Sequence, residues 1–425
     1  MKPESEAWLI GAVDPFHDSD FRPTDKPDFA RNSVIVQHIK RTYSVSAPPN
    51  LAADALWDFN LALLPHDSRT TKVTSAAYNG ASNDPASLTI AGTPWSDEAM
   101  TFGGWTLHTV PTGQKTFQPQ NSWPAPVANQ NMVSLAADST LAGASPAPYL
   151  RGTHRYVYTG VEVTNTTAEL YKNGSILAYR QPLSAKEKCM GTYNAANAFL
   201  KSEQALIYRS PPTSVDEAQL LEGTVLHDAA KGMYVVATQA TEETCFKDTD
   251  QLKPYMVGVD LPSGDVGGVA LLDTIPALTA SGSGSTNPAF GTAVSRCTFQ
   301  PWNISGVYGF GLTQQSTFQV TVCYGVARAP TLDEADLVVL AAPSPLYDPV
   351  ALEIYSQAMR TMPAGVPVDE NPLGEWFTKV IDGIGSVGSA VAPMLGAAHP
   401  MAGAALGMVA RGAKGLAAKR KAKGK

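Results

Sequence analysis

The sequence predicts an all-β protein, an antiparallel sandwich or barrel with amphipathic helices at its C-terminal end. Three observations carry that expectation. Short β-branched and aromatic runs recur through the first 330 residues, clusters of Gly, Pro, Asn and Ser punctuate them, and helical periodicity enters only after residue 347. Many strands with frequent turn signals suit a sandwich or a barrel far better than a layered α/β fold.

Taken in order, residues 8–30 are dense in Asp and Pro and read as irregular, so 1–32 is expected to be an irregular inner segment. SVIVQHIKRTYSVSAP, from Ser33, alternates and is β-branched, a strand that ends at Pro48-Pro49. ALWDFNLALL, Ala55 to Leu64, is a second strand closed by Pro65-His66-Asp67. TTKVTSAAY, SLTIAG and FGGWTLHTV are short β-like runs within 66–147, which with 240–300 is a candidate for a protruding insertion. Two strong segments follow, RYVYTGVEVTN and ELYKNGSILAYRQP, the second expected as a hairpin over Asn173-Gly174. Later strands are expected in GMYVVATQ (232–239), GGVALLDT (267–274), VYGFGLT (307–313) and TFQVTVCYGVARAP (317–330). SGSGS at 281–285 is a loop tip or short linker, and the β body as a whole runs 33–345.

Helix then takes over. DPVALEIYSQAMRTM (348–362) has an Asp cap, Pro at the first helical position, and Val350, Ile354 and Met359 on one face; Pro363 stops it. It sits in a junction, 346–371. Beyond that junction, in 372–425, Leu373, Trp376, Phe377, Val380, Ile381, Ile384, Val387, Val391 and Leu395 recur at three- and four-residue steps. This stripe is the expected membrane-active face. Gly383 to Ala410 has no formal charge over 28 residues, a spanning length, but its Gly content, Pro393 and Pro400 make it a poor permanent anchor.

Composition bounds the function. Charged residues are only 16% of the chain, against about 25% in ordinary soluble proteins, as suits a subunit that hides its surface against neighbours. Charge is also unevenly placed: Arg411, Lys414, Lys419, Arg420, Lys421, Lys423 and Lys425 put +7 on the last fifteen residues, so the net of −7 leaves −14 on the other 410. An acidic body with a basic tail points to nucleic acid or an anionic membrane as the tail's partner. Cys189, Cys245, Cys297 and Cys323 form no CxxC and have no adjacent histidine pair, so neither zinc nor a disulfide framework is indicated. The opening MKPESEAWLIGAV is too short and too acidic for a signal peptide, and cytoplasmic synthesis is expected.

Few motifs carry chemistry. Gly383-Ile-Gly-Ser-Val-Gly388 matches GxGxxG but lies within the helical stripe and follows no strand, so it reads as a small-residue helix face. His17 stands among Asp14, Asp18 and Asp20, an Asp-rich turn before it is a metal cluster. Asp216, Glu217, Glu222 and Asp228 have spacings usable by a Ca²⁺ ion bridging subunits, though a solvated face explains them as well. GxSxG, HExxH and P-loop patterns are lacking, which speaks against a turnover enzyme.

At the front, WLIGAVDPFHDSDF, KPDF and a Pro-terminated strand, and at the back PLYDPVALEIYSQAMRTMP, an Asn-bearing loop, EWFTKVI and a Gly/Ala-rich helix resemble the coat proteins of nodaviruses and the wider noda- and tombus-like group. The resemblance implies a jelly-roll shell domain of viral type, icosahedral assembly around a positive-strand RNA genome, residence in the virion, and maturation by self-cleavage. Its partners would be copies of itself, viral genomic RNA, and a host membrane and receptor at entry; no cofactor is required, with Ca²⁺ at subunit interfaces the one candidate. Asn371 stands where the family's self-cleaving Asn stands, with Pro372 after it where the family has a small residue. Pro372 has no N–H, so deamidation through that nitrogen is blocked and chain cleavage is the cyclisation outcome left. The assisting acid would be Asp18, with Asp14 second. In the resemblance an Arg-rich arm precedes the shell; here the basic residues stand in 411–425 instead. The alternative from another class is a tail-anchored or membrane-disrupting surface protein with a β-sandwich ectodomain.

Overall fold

In a computed structural model the described residues are 2–16, 23–48, 51–72, 96–101, 104–117, 131–134, 153–193, 199–241, 244–248, 256–260, 269–271, 293–330 and 334–368. The strands in chain order begin with β1 (Ser33–Ser46), β2 (Trp57–Leu63), β3 (His66–Lys72), β4 (Ser96–Thr101), β5 (Trp105–Pro111) and β6 (Asn131–Ser134). Next come β7 (Thr153–Asn165), β8 (Ser175–Gln181), β9 (Ala185–Tyr193), β10 (Phe199–Tyr208), β11 (Val225–Asp228), β12 (Met233–Val236) and β13 (Lys247–Asp248). Then follow β14 (Met256–Asp260), β15 (Val269–Leu271), β16 (Ala293–Phe299), β17 (Ile304–Leu312), β18 (Thr317–Ala329) and β19 (Ala342–Pro343). Four helices accompany them among the described residues: α1 (Pro3–Val13), α2 (Val215–Gln219), α3 (Ala335–Val338) and α4 (Pro349–Thr361).

Two antiparallel sheets make the body, and they form a β-sandwich. Sheet one runs β12-β7-β18-β1-β19 with β13 added beside β7; sheet two runs β11-β8-β17-β2-β5-β6. Eight strands pair as one long antiparallel ribbon: β1 with β18, β2 with β17, β7 with β12, β8 with β11. The ribbon then folds on itself, laying β18 beside β7 and β17 beside β8. Two smaller sheets, β15-β14-β10-β9 and β16-β3-β4, complete the strands.

Between the sheets lies the largest apolar cluster. Val320, Val322, Tyr324 and Val326 of β18 and Val161 and Val163 of β7 meet Trp57, Phe59 and Leu61 of β2 and Val307 of β17. The opposite face of sheet one is also covered over part of its area. There Val157, Tyr158, Tyr234, Cys323 and Ala327 pack under Trp8, Leu9 and Val13 of α1 and Ile354, Ala358 and Met359 of α4. Strands covered on both faces read as apolar runs, and β2 is buried at every position. A bulge sets the phase in β7: Gly325 pairs with Tyr158 but Val326 with Tyr156, so Val157 is extra. It turns Tyr156 into the sandwich and Tyr158 out to the helices. Gly325 fits because a Cβ there would stand 2.3 Å from the Tyr158 ring.

Two sequence expectations are corrected. The stretch from residue 8, read as irregular, begins inside helix α1, which starts with Pro at its first turn and acids Glu4 and Glu6 near its N-terminus. WLIGAV is apolar on every side because sheet one and α4 enclose it, and such a helix shows no amphipathic period. Likewise ELYKNGSILAYRQP is not a hairpin: Glu169–Tyr171 is one 3-10 turn, and β8 pairs instead with β11 and β17. Gly174, at φ +90, makes the corner where a side chain would strike the Phe310 carbonyl. The capped helix expected at 348–362 is α4, with Asp348 Oδ1 accepting from the Ala351 N–H at 3.2 Å. The stretches 87–92 and 281–285 and the stripe from Leu373 to Leu395 lie outside the described residues.

A buried ionic cluster fastens the N-terminal segment to this body. Arg155, at the start of β7 and fully buried, donates from Nε to Asp25 Oδ1 and faces Asp25 Oδ2 from Nη2, both at 2.8 Å. Its Nη1 reaches both oxygens of Asp28 at 2.9 Å, and the Phe246 ring lies 4.4 Å from its Cζ. Burial works against the charge, but the two carboxylates outweigh it and hold the guanidinium pKa above its ordinary value. Removing one partner of such a buried pair costs about 3–5 kcal/mol, because the others stay charged and dry. Arg155→Met should therefore lower unfolding stability in urea by about that amount. Adding Asp25→Asn and Asp28→Asn should recover much of the loss; a single variant as stable as wild type would show that the cluster holds nothing.

Candidate functional site

The two described ends of the chain meet on the outer face of sheet one. α1 lies beside α4, with Trp8 and Tyr355 ring centroids 5.2 Å apart and the Lys2 N–H donating to Asp348 Oδ2 at 3.0 Å. After α4 the chain turns back across β12, where Val366 and Tyr234 exchange N–H···O bonds of 2.7 and 2.9 Å. Arg180 of β8 gathers the carbonyls that α4 leaves free, donating from Nη1 to Met359 and Met362 at 3.0 and 3.3 Å.

Asp14 ends α1 beneath this crossing. It is fully buried, and its Oδ1 accepts from the Tyr234 hydroxyl at 3.0 Å. Burial, then the Asp14 charge, drives the Tyr234 pKa well above its ordinary value, so the hydroxyl keeps its proton. Tyr234 thus bonds the chain leaving α4 with its backbone and Asp14 with its side chain. Next along, Phe16 packs edge-on against Tyr234 at 5.5 Å, and Lys40 of β1 donates to the Phe16 carbonyl at 3.0 Å.

A short polar relay underlies this turn. His38 of β1 has Nδ1 3.1 Å from the Tyr158 hydroxyl and Nε2 3.5 Å from Cys323 Sγ, which in turn donates to the Pro15 carbonyl at 3.6 Å. Burial pushes the Cys323 thiol up to about 12, so it is a proton-bearing packing group and not a nucleophile. Burial, with Lys40 nearby, lowers the His38 pKa to about 4.

Of the residues expected to serve cleavage, membrane or RNA contact, Asp14 alone is among the described residues. Asp18, Asn371, Pro372, His17, Asp20, the stripe of Leu373, Trp376, Phe377, Val380, Ile381, Ile384, Val387, Val391 and Leu395, and the tail from Arg411 to Lys425 lie outside the described residues. The four carboxylates weighed for Ca²⁺ are placed as caps and rim groups. Glu217 accepts from the Thr213 N–H and hydroxyl at 2.7 and 2.9 Å, and Asp228 caps Ala230 at 2.8 Å. Among the described residues no group of three or more His, Cys, Asp or Glu is arranged to hold a metal ion, and no helix is long and apolar enough to cross a membrane. Tyr234, His38 and Arg180 escaped the sequence reading because each looks like an ordinary strand residue until the sheets are assembled.

Neither a family profile nor a curated protein matches the sequence. Among solved structures the chain is similar to that of infectious bursal virus derived T=1 particles, at 11% identity and a TM-score of 0.45 over 88% of this chain and 96% of that one. It is also similar to the infectious bursal disease virus VP2 subviral particle, at 10% identity and a TM-score of 0.25 over 89% and 100%. The T13 viral particle of the same virus gives 10% identity and 0.26 over 89% and 97%. A likeness at these scores assigns no function.

The relay predicts an acid lability. The folded pKa of His38 lies below its unfolded value of 6.5, so its contribution to stability is complete above pH 6.5 and is lost as pH falls towards 4. Thermal melts between pH 7 and 4.5 should show His38→Gln losing less stability than wild type; parallel losses would remove His38 from the acid response.

Proposed function

We propose that this chain is a structural shell subunit of an icosahedral positive-strand RNA virus, self-assembling around its genome and residing in the virion. The observation that carries the reading is the ribbon pairing. An antiparallel ribbon of eight strands, folded over so that four lie in each six-stranded sheet, supports a jelly-roll reading, an architecture used by viral capsid proteins. A fold alone does not fix function. Support also comes from the low charge of the body, the basic tail of 411–425 and the amphipathic stripe that precedes it. Electron microscopy of purified protein should find closed particles of uniform diameter with nuclease-protected RNA, and deletion of 411–425 should lower the RNA content. Monomers with no protected RNA would favour the membrane-disrupting surface-protein alternative.

Self-cleavage after Asn371 is the finer part of the proposal. The Asn371 side-chain nitrogen attacks the Asn371 carbonyl carbon, the bond to Pro372 breaks, and a proton passes from the amide to the Pro372 nitrogen. One product ends in a succinimide and the other begins with a free Pro372 amine. For the assisting acid we favour Asp14 over Asp18, on the support of its burial and its link through Tyr234 to Val366. Asn371 stands five residues beyond Val366, within about 17 Å along an extended chain. Released, 372–425 would carry its apolar stripe and basic tail to an anionic membrane.

Intact mass of matured particles should reveal a 54-residue peptide (425 − 371). Asn371→Ala and Asp14→Asn should each assemble with the chain whole, while cleavage in Asn371→Ala would end the mechanism. Cleavage lost in Asp18→Asn but kept in Asp14→Asn would return the acid to Asp18. A synthetic 372–425 peptide should release dye from anionic liposomes; intact liposomes would leave it a strut and RNA tether.

A further inference from the structure

One lateral edge of the sandwich is conspicuously apolar and exposed. From Val338 to Tyr347 the chain reads VVLAAPSPLY, ten residues without a charge. This stretch runs from the end of α3 through β19 and along the segment 27–34, to which it is bonded at Ser33–Pro343, Asn32–Ser344 and Pro27–Asp348. Val339 is 83% exposed, Leu340 67%, Phe29 62% and Leu346 51%, with Val338 and Tyr347 also open to solvent. Phe29 and Tyr347 stack at 4.0 Å with 16° between their rings, so two of the six side chains are already ordered in the free surface.

We propose that this edge is a two-fold contact between copies of this chain, each laying its Val338–Tyr347 ribbon and Phe29 against the same surface of the other. This deepens the shell reading and rests on it for its setting. Area decides the occupant. With about 200 Å² for a fully exposed aromatic side chain and less for Val and Leu, the six residues offer roughly 500–600 Å² of apolar surface, and exposed Ala342 and Pro343 between them bring the edge towards the ~800 Å² per partner of a stable interface. Among the described residues the other exposed large apolar groups are much smaller sets: Leu170 with Tyr171 beside the β7–β8 corner, Leu220 and Leu226 at α2 and β11, and Leu56 alone. None of these could cover the edge, whereas an identical edge matches it, and a self-complementary patch gives a closed, isologous pair. Strand addition is not the mode. Pro343 lacks the N–H that an added strand would need, so side-chain packing must make the contact.

The test uses the full-length chain with Val339→Asp and Leu340→Asp, singly and together, against Leu170→Asp as a control of equal exposure. Circular dichroism should show all four folded. Sedimentation equilibrium should show the dimer dissociation constant raised by roughly 30-fold or more in the double variant, the size of a hot-spot loss, with Leu170→Asp unchanged. Dimers of wild-type strength in the double variant overturn the proposal, as would a double variant that keeps its dimers but melts earlier, which would mean the chain covers this edge itself. Should the double variant fail to fold, Leu340→Ser is read in its place. Electron microscopy separates the two readings. Wild-type dimers that the variant breaks, without particles, keep the contact and end the shell; particles from both proteins keep the shell and end the contact.

Discussion

Arg155 is the point on which the arrangement of the chain ends depends. A guanidinium taken wholly out of water is costly by several kcal/mol, and it persists there only if its donors are filled. Asp25 accepts from Nε and Nη2 in fork geometry and Asp28 takes Nη1 on both oxygens, with the Lys26 and Thr244 carbonyls taking what remains. The consequence reaches beyond one residue. Asp25 also accepts from the Ser344 hydroxyl, and Ser344 bonds Asn32 on both its backbone and side chain. Arg155, with buried Lys26 bonding Gln239 and Thr244 beside it, therefore fixes the extended segment 23–32, and that segment in turn aligns the 342–348 ribbon leading into α4. Apolar packing alone would hold these pieces near the sheet without setting their register.

The helices then depend on that register. From Trp8 to Val13 α1 has no polar face, so its stability comes largely from the enclosure that sheet one and α4 provide. Asp348 couples the two ends of the arrangement by capping α4 while receiving the Lys2 N–H from the start of α1. The result is a sheet whose outer face is covered where it carries the two ends of the described chain. Chemistry between sequence-distant groups becomes feasible there: Asp14 and Val366 are 352 positions apart yet both bond to Tyr234.

How much of this was legible follows from range. β1, β2, β7, β17, β18 and α4 announce themselves through local alternation, turn residues and caps, because those signals act over a few residues. The α1 helix shows no amphipathic period, since its Trp8–Val13 turns are enclosed on every side, and its Asp-rich continuation suggests an irregular segment. Ion partners 127 and 130 positions apart, Arg155 with Asp28 and Asp25, are outside any local pattern. The Val157 bulge is equally silent, because an alternating strand looks the same until its partner reveals the extra residue. Asp14 was legible only as one acid among several, and it took burial and the Tyr234 hydroxyl to distinguish it.

The same logic separates the two surfaces that the fold builds from chain termini. At β12 the incoming backbone finds a strand with free N–H and C=O groups, and Val366 pairs with it, so that edge of sheet one is occupied by the chain itself. At the opposite edge β19 presents Pro343, which cannot donate, beside side chains too large and apolar to prefer water. One edge is thus closed by hydrogen bonds within the chain, while the other is kept from strand pairing and left able to bury side chains only. A sandwich that guarded both edges alike would have no reason to keep ten uncharged residues at one of them. The asymmetry is what a subunit needs if it is to associate through a defined contact without growing into an open sheet.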